Sequence, residues 1–567
     1  MESQRPTGEP PANSGDDFVD RITQLLNTDV TADGMDEFLL ATDEVGRDFG
    51  ETMAALSRAK DEDTADEAAK QAYLEFVTQV YPRVAPLIDQ MNKKLLAVPG
   101  YRPPPELLTT WNAMEDDVAL YSPDNNELLA QEAAYGQEFG EITGSLRIDV
   151  DGKELTYSEA VALLEETDRE LRERVYRAIH RARAAHRPRL DELFSNLLAL
   201  RQQVAKNAGS STYRDHVWRD LHRHDYTPDD TLTMHASVEA EVVPRLRELM
   251  ARRAERLGLD ALKPWDLDVD ALGRAPLAPF ETVDELVVGM KRMLGALDPE
   301  LAEQFDLLDG GWMNLEPSPN KVPGLGYQSY FPRSRRPYIY YSVVGTNDDL
   351  LTMIHEAGHA FHTIRTQNAW PLISHMSARA EMNELASQGL ELLTLPYLTT
   401  DRGGFYDAAE ARRAQASLLV RALQLLVAAS RFDALQHWLY DRPVDAAPPT
   451  IAEIDETWRE IWERFDVGVD YQGVEDTRRK SWQIVHVYLM PFYYIEYAIA
   501  YLGALQLWER VLEDPARALA GYKSALALGG TRPLDELYKA AGIEFTFDRA
   551  TIARLTGLVM RELGDEV

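Results

Sequence analysis

The stretch Leu350-Leu351-Thr352-Met353-Ile354-His355-Glu356-Ala357-Gly358-His359-Ala360-Phe361-His362 lies past the middle of a 567-residue chain. It contains the pattern H-E-x-x-H among mostly apolar residues, which is typical of a helix buried inside a domain. On a helix, residues four positions apart lie one above the other on the same face. Both His355 and His359 can therefore reach one metal ion, with Glu356 beside it.

The chemistry of this pattern favours zinc. Neutral imidazole suits Zn²⁺, and a catalytic zinc site keeps one position open for water. A neighbouring carboxylate can take a proton from that water, as metal-assisted hydrolysis requires. The alternative is a surface helix with two unrelated histidines, but 12 His and 94 acidic residues in 567 would produce the pattern by chance only ~0.04 times per chain.

A third protein ligand has to come from elsewhere in the chain. The extended pattern H-E-x-x-H-x-x-G-x-x-H is excluded, because position 362 is His and position 365 is Arg. His362 lies seven residues from His355, which is ~10.5 Å along a helix. That separation is too long for the two to share an ion, so we expect His362 to be a neighbour of the ligands.

A second helix follows, with carboxylates that could complete the site. The segment from Arg379 to Glu391 contains three glutamates, Glu381, Glu384 and Glu391. Nearby leucines indicate that this helix packs inward. Unpaired carboxylates there would be costly, so a metal or another partner is expected. The pattern alone does not choose between Glu381 and Glu384.

The segment before the H-E-x-x-H helix changes character. Residues 326–331 and Tyr338 to Val344 are rich in Tyr, Ile and Val and predict the strands of a small sheet. Gly345 to Asp348 supply a turn and a helix cap. If the Tyr338 to Val344 strand is an edge, it can pair with an extended peptide. A purely structural sheet is the equal alternative.

The rest of the chain has a helical pattern, apart from a short hairpin predicted at Asp151-Gly152. Residues 1–16, rich in Pro, Gly, Ser and Asn, are predicted to form a disordered tail. We divide the remainder into an N-terminal helical lobe at 17–205 and a region containing the metal site at 206–567, with the two interleaved.

Composition excludes several classes of protein. The chain contains no run of ~18 apolar residues, so no membrane span is predicted. The N-terminus does not resemble a secretory signal. The chain has no cysteine, so zinc must be held by His and carboxylate, and we expect a cytoplasmic location. A net charge of −35 argues against nucleic acid as a partner. The sequence does not predict an oligomeric state.

Residues 482–500 form an aromatic segment with one histidine, His486, followed by Tyr493, Tyr494 and Tyr497. Taken alone, this segment is typical of a buried aromatic helix. Next to a zinc motif, the same side chains become candidate hydrogen-bond donors to a substrate.

These motifs resemble the thimet-oligopeptidase family of zinc peptidases, in particular the bacterial oligoendopeptidase F and Pz-peptidase type. The resemblance rests on the H-E-x-x-H helix and on Glu384, Ser387 and Glu391, which match the family's E-x-x-S-x-x-x-E pattern. It implies that His355, His359 and Glu384 hold one Zn²⁺ and that Ser387 and Glu391 are their neighbours.

The resemblance also implies that His486 and a tyrosine donate hydrogen bonds to the tetrahedral intermediate and the substrate. The spacing between the histidine and the tyrosines differs from that of the better-known eukaryotic members, so Tyr493, Tyr494 and Tyr497 all remain candidates.

The implied fold is mainly α, two-lobed, with a small sheet beside the zinc helix and a deep central channel. The implied function is a zinc-dependent endopeptidase for short unfolded oligopeptides, with Glu356 as general base. Two alternatives remain: a non-catalytic peptide-binding relic, and a zinc hydrolase or carboxypeptidase-like enzyme for another amide.

Overall fold

The computed structural model describes residues 15–318, 320–321, 325–564 and 566, and most of these residues are helical. The helices before the larger sheet are α1 (Gly15–Leu26), α2 (Met35–Glu62), α3 (Glu67–Glu75), α4 (Tyr81–Leu96), α5 (Leu108–Leu120), α6 (Asn126–Gly144), α7 (Tyr157–Ala162), α8 (Arg169–Asn207), α9 (Tyr213–Asp220), α10 (Pro228–Glu241), α11 (Val243–Arg256), α12 (Val283–Leu297) and α13 (Pro299–Phe305).

Two short β structures interrupt the helices. The strands are β1 (Ile148–Val150), β2 (Lys153–Leu155), β3 (Met313–Asn314), β4 (Tyr327–Phe331) and β5 (Arg336–Tyr340). After them come α14 (Asn347–Ala369), α15 (Ala380–Thr394), α16 (Ala408–Tyr440), α17 (Ile451–Arg464), α18 (Glu475–Arg479), α19 (Val485–Leu489), α20 (Tyr494–Glu513), α21 (Pro515–Leu526), α22 (Leu534–Ala540) and α23 (Arg549–Leu563). The predicted class, mainly α with a small sheet before the H-E-x-x-H helix, is confirmed.

The predicted hairpin is present as β1 and β2, which pair antiparallel around Asp151 and Gly152. Both turn residues have positive φ, 55° and 83°. Two positive φ values in a two-residue loop are the mark of a tight hairpin turn, for which Asp-Gly is a preferred sequence.

The second sheet corrects one expectation about its edge. Its strand order is β3-β5-β4, with β3 parallel and β4 antiparallel to β5. The segment expected at the edge, Tyr338 to Val344, is therefore central: the amides of Tyr341 and Val343 donate to Asn314 and Leu315 on the β3 side. The two-residue strand β3 is too short to show the alternation that would have predicted it. The edges are β3 and β4.

The sheet is joined to α2 by tyrosine hydroxyls. Tyr327 donates to Asp61 Oδ2 at 2.9 Å, and Tyr340 donates to the Asp61 carbonyl at 2.6 Å. Tyr338 donates to Glu62 Oε1 at 2.7 Å. The N-terminal helices are thereby tied to the strands that precede α14.

The largest hydrophobic core extends from Phe139 to Leu563, and a separate one is built mainly by α1, α2, α4 and α5. In the main core, α15 packs against both α14 and α20, and residues 384–395 are all buried. This burial places the predicted metal helices at the centre of the molecule. The deep central channel stays a prediction.

The predicted division of the chain also stays a prediction. The boundary at 205 falls near the end of α8, whose Leu193 and Leu197 belong to the same core as α14 and α15. Most of the predicted disordered tail lies outside the described residues, and Gly15 and Asp16 form the first turn of α1. No helix within the described residues is long and apolar enough to cross a membrane.

Candidate metal centre

Helix α14 begins at a cap that the sequence predicted. The Thr346 hydroxyl accepts from the Asp349 amide, and the Asp349 carboxylate accepts from the amides of Val344 and Thr346 and from the Tyr341 hydroxyl. This reciprocal arrangement satisfies amides that the first turn leaves free. It joins the end of the sheet to the start of the helix.

Helices α14 and α15 approach closely at Gly358, the fourth residue of H-E-x-x-H. A Cβ atom at this position would lie 2.5 Å from Ser387 Cα and 2.6 Å from the Ala386 carbonyl oxygen. Glycine therefore permits backbone contact between the two helices. The contact brings Glu384 opposite the two histidines.

His355, His359 and Glu384 form one group. Each offers one ligand atom, and the three atoms lie within 4.8 Å of one another. Glu384 Oε2 is 3.4 Å from His355 Nε2 and 3.9 Å from His359 Nε2. Ligands of a tetrahedral zinc ion are separated by about 3.3 Å. Two imidazoles and a carboxylate at these separations fit a Zn²⁺ ion.

Glu391 and Tyr501 orient His355. His355 Nδ1 donates to Glu391 Oε1 at 2.6 Å, and the Tyr501 hydroxyl donates to Glu391 Oε2 at 2.8 Å. A proton held at Nδ1 directs Nε2 toward the metal position. Burial opposes a charge on His355, but Glu384 and Glu391 outweigh it and raise its pKa to about 10.

Glu356 is buried beside this group, and its Oε2 has no hydrogen-bond partner among the described residues. Burial raises its pKa to about 7 against the charge of His355, while the Gln328 backbone amide on β4 lowers it. A bound cation would favour the ionised form by Coulomb attraction. Glu356 thus accepts from the Gln328 amide and keeps Oε2 without a described partner.

Glu381 faces a different network, although it lies only three residues before Glu384. The Tyr226 hydroxyl donates to its Oε1, and Arg223 Nε lies 3.8 Å from the same atom. Arg223 is also paired with Glu496. Glu381 is therefore engaged away from the two histidines.

The remaining predicted neighbours divide into two kinds. The Ser387 hydroxyl donates to the Glu384 carbonyl at 2.9 Å and lies 3.4 Å from its Oε2, so it supports that side chain. His362 is buried outside the three-residue group. Burial lowers the pKa of His362 to about 3, so this imidazole is neutral.

The aromatic segment approaches the group from α19 and α20. The Tyr493 hydroxyl donates to Glu384 Oε1 at 2.8 Å, and the Tyr497 hydroxyl lies 3.5 Å from His486 Nε2. Burial lowers the pKa of His486 to about 4, against the attraction of Glu384, so it is neutral near pH 7. The rings of Tyr494 and His486 meet edge to face, with their centres 4.6 Å apart. Burial raises the pKa of the Tyr494 hydroxyl, and the charges of Arg421 and Arg431 lower it.

A model of peptidase family M3 matches residues 162–556, more than two thirds of the chain. The chain belongs to peptidase family M3. The resemblance inferred from the H-E-x-x-H and E-x-x-S-x-x-x-E motifs is confirmed, and the family and its relatives support a metallo-endopeptidase.

Among curated relatives, this M3 chain is 21% identical over 410 residues to oligopeptidase PepF of Bacillus subtilis (strain 168), covering 70% of the chain and 58% of the relative. It is 24% identical over 314 residues to an oligoendopeptidase F homolog of Mycoplasma pneumoniae, covering 51% of the chain and 48% of the relative. The matches thus span about half the length of these relatives.

A solved structure of Pz peptidase A with an inhibitor is similar to the whole M3 chain. The TM-score is 0.91 with 26% sequence identity, and 98% of each chain is covered. The likeness therefore includes the N-terminal helices, which lie outside the residues that the family model matches.

Sequence reasoning missed three features of the site. It assigned no role to Tyr501 at Glu391, to the Gln328 amide beside Glu356, or to the Arg223 and Tyr226 pair that engages Glu381. Tyr501 had a signal, since it follows Tyr494 and Tyr497 at helical spacing. The other contacts join residues far apart in the chain and have no local signature.

Proposed function

We propose that this M3 chain is a zinc-dependent endopeptidase that hydrolyses peptide bonds in short unfolded oligopeptides. The observation that carries the proposal is the convergence of His355, His359 and Glu384 beside Glu356, whose Oε2 has no hydrogen-bond partner among the described residues. A relic binding protein would have no use for a buried, unpartnered general base next to a complete ligand set.

His355, His359 and Glu384 would hold the ion, one per chain. A bound Zn²⁺ supplies Lewis acidity toward water and toward the scissile carbonyl. Glu391 and Tyr501 orient His355, and Tyr493 and Ser387 orient Glu384. At neutral pH the free site keeps a proton on His355, because the pKa of its imidazole is raised to about 10. When the ion binds, the proton on Nε2 has to leave, while the Nδ1 proton stays hydrogen-bonded to Glu391.

Glu356 is the general base in this proposal. Its Oε2 takes a proton from the attacking water and then passes it to the nitrogen of the leaving amine. Burial without a hydrogen-bond partner keeps this oxygen available for that transfer. Burial also shields the proton from exchange with bulk water.

His486 and Tyr497 are the proposed donors to the developing oxyanion. The Tyr497 hydroxyl lies 3.5 Å from His486 Nε2, and His486 is neutral at pH 7 and carries one N–H. A donor of this kind contributes about 3 kcal/mol to the transition state. Of the three candidate tyrosines, Tyr493 is committed to Glu384, whereas Tyr494 faces the arginines of α16.

An extended peptide is the substrate that best fits the sheet. The edge strand β4 packs beside α14, and its residue Gln328 lies near Glu356. A peptide paired with this edge would have its backbone close to the general base. We retain the predicted cytoplasmic location and the division at residue 205 as expectations.

The test compares wild type with Glu356→Gln, using a mixed library of short peptides and mass spectrometry of the products. We expect internal cleavage by wild type, loss of activity with chelator, and a turnover reduced ~10²–10⁴-fold in the variant. Metal content should be unchanged in Glu356→Gln, since the ligands are intact. Near-wild-type turnover in the metal-loaded variant contradicts the assigned base, and stepwise removal of terminal residues favours the carboxypeptidase-like alternative.

A further inference from the structure

Arg431 of α16 lacks the partners that most arginines of this chain have. Its guanidinium lies 4.0 Å from the centre of the Trp462 ring, and the side chain is half-buried. Its Nε is buried without an acceptor. Within the described parts of the chain it forms no ion pair, whereas Arg421, ten residues earlier on α16, is paired with Asp348 at 2.5 Å.

A second half-buried arginine lies in the same neighbourhood. The Arg478 guanidinium is 5.8 Å from the centre of the Tyr471 ring, and the described residues offer it no carboxylate partner within ion-pair distance. The Tyr471 and Trp462 rings meet edge to face at 5.6 Å. We call Arg431, Trp462, Tyr471 and Arg478 the arginine patch.

Both guanidinium groups affect the pKa of the Tyr471 hydroxyl. Burial raises the pKa of the Tyr471 hydroxyl, and Arg431 and Arg478 both lower it. Two cations held near one hydroxyl repel each other, and partial burial removes part of their hydration. Asp466 acts on Arg431 and on the Tyr471 hydroxyl from beyond ion-pair distance, and no described carboxylate forms an ion pair with either guanidinium. An anion from outside the chain would reduce the repulsion between the two cations and replace part of their lost hydration.

Tyr494 connects the patch to the candidate metal centre. Its ring lies 5.1 Å from Phe432, the residue after Arg431, and 4.6 Å from His486. Arg431 also lowers the pKa of the Tyr494 hydroxyl against the effect of burial. Tyr494 therefore lies near both Arg431 and His486.

We propose that the arginine patch binds a carboxylate of the peptide substrate, namely its C-terminal α-carboxylate. Arginine presents two parallel N–H groups that match the two oxygens of a carboxylate. Stacking on Trp462 fixes the plane of the Arg431 guanidinium. This assignment rests on the proposed peptidase function and names a determinant of its specificity.

The test uses one cleavable peptide in three forms: free C-terminal acid, C-terminal amide, and amide with a glutamate near the C-terminus. For wild type we expect kcat/KM to be about tenfold or more higher for the free acid than for the plain amide, mainly through KM. Arg431→Gln should remove that preference and leave cleavage of the plain amide unchanged. Arg431→Lys keeps the positive charge but not the two parallel N–H groups, so it should show part of the preference for the free acid.

Arg442→Gln is the matched control, because Arg442, two residues after the end of α16, lies 4.4 Å from the centre of the Trp438 ring. It should keep the full preference for the free acid. A preference that returns with the glutamate-containing amide would assign the site to acidic side chains as well as to the terminus.

The outcomes also separate this proposal from the one it rests on. If wild type cleaves none of the three peptides in its metal-loaded form, the proposed function fails. If it cleaves all three equally, or if Arg431→Gln keeps the preference, the peptidase stands and the carboxylate site is wrong.

Discussion

Glu381 and Glu384 lie on the same buried helix but have different partners, and this difference predicts their roles. Glu384 Oε2 is 3.4 Å from His355 Nε2, whereas Glu381 accepts from Tyr226 and lies near Arg223. We expect Glu384→Ala to lose most bound metal and Glu381→Ala to retain it. Metal content per chain after dialysis against trace zinc measures both.

The stability of both variants also has to be measured, because both carboxylates are buried. Removing Glu381 leaves Arg223 with one fewer partner, so Glu381→Ala should unfold at a lower temperature even though it keeps its metal. The opposite order of metal content would show that the third ligand is Glu381.

At the scale of residues, the sequence predicts the residues of the candidate site only where a motif includes them. His355, His359 and Glu356 follow from spacing on one helix. Glu384 needed the register of a known family, since both carboxylates of α15 face inward. The decisive contact of Glu381 comes from Tyr226, 155 residues away in the chain, and no local pattern predicts such a pairing.

Among the elements, the contact between α14 and α15 is the one on which the metal centre depends. Gly358→Ala would place a Cβ 2.5 Å from a backbone atom of α15. Because backbone cannot yield as a flexible side chain does, the helices must separate. We expect a loss of about 1–3 kcal/mol in the free energy of unfolding, together with weaker metal binding, measured by denaturant titration and metal competition.

Gly140→Ala is the control for this substitution. Gly140 lies inside α6, and a Cβ there would meet no other atom within 4 Å. Alanine is the better helix former, so this variant should gain up to about 1 kcal/mol. Equal stability changes for the two variants would mean that close packing at Gly358 has no special role.

Prediction of the elements succeeded where signals are local and failed where pairing is distant. The Thr346 cap and the Asp151-Gly152 turn depend on adjacent residues, and both are present. The placement of β5 at an edge was wrong, because its second neighbour is a two-residue strand. Sheet order depends on such tertiary contacts, which periodicity does not encode.

For the whole molecule, helical periodicity and length predict the class of fold, while the course of the chain around the site needed the structure. The metal helices lie at the centre of the main core, and α2 is tied to the sheet that precedes α14. Residues more than 250 positions apart thus border one another near the metal centre. Because Glu356, the proposed general base, is buried, we expect only an extended, narrow ligand to bring its backbone to this residue.

This burial predicts selection by substrate conformation. A folded protein has no free strand to pair with β4 and cannot bring a peptide bond to Glu356 without unfolding. We expect peptides of about ten residues to be cleaved, while a folded protein containing the same ten residues in a strand survives. The same stretch synthesised as a free peptide is the matched control, and intact mass against time measures both. Digestion of the folded protein at the rate of the free peptide would show that the site is open to folded chains and that burial does not select the substrate.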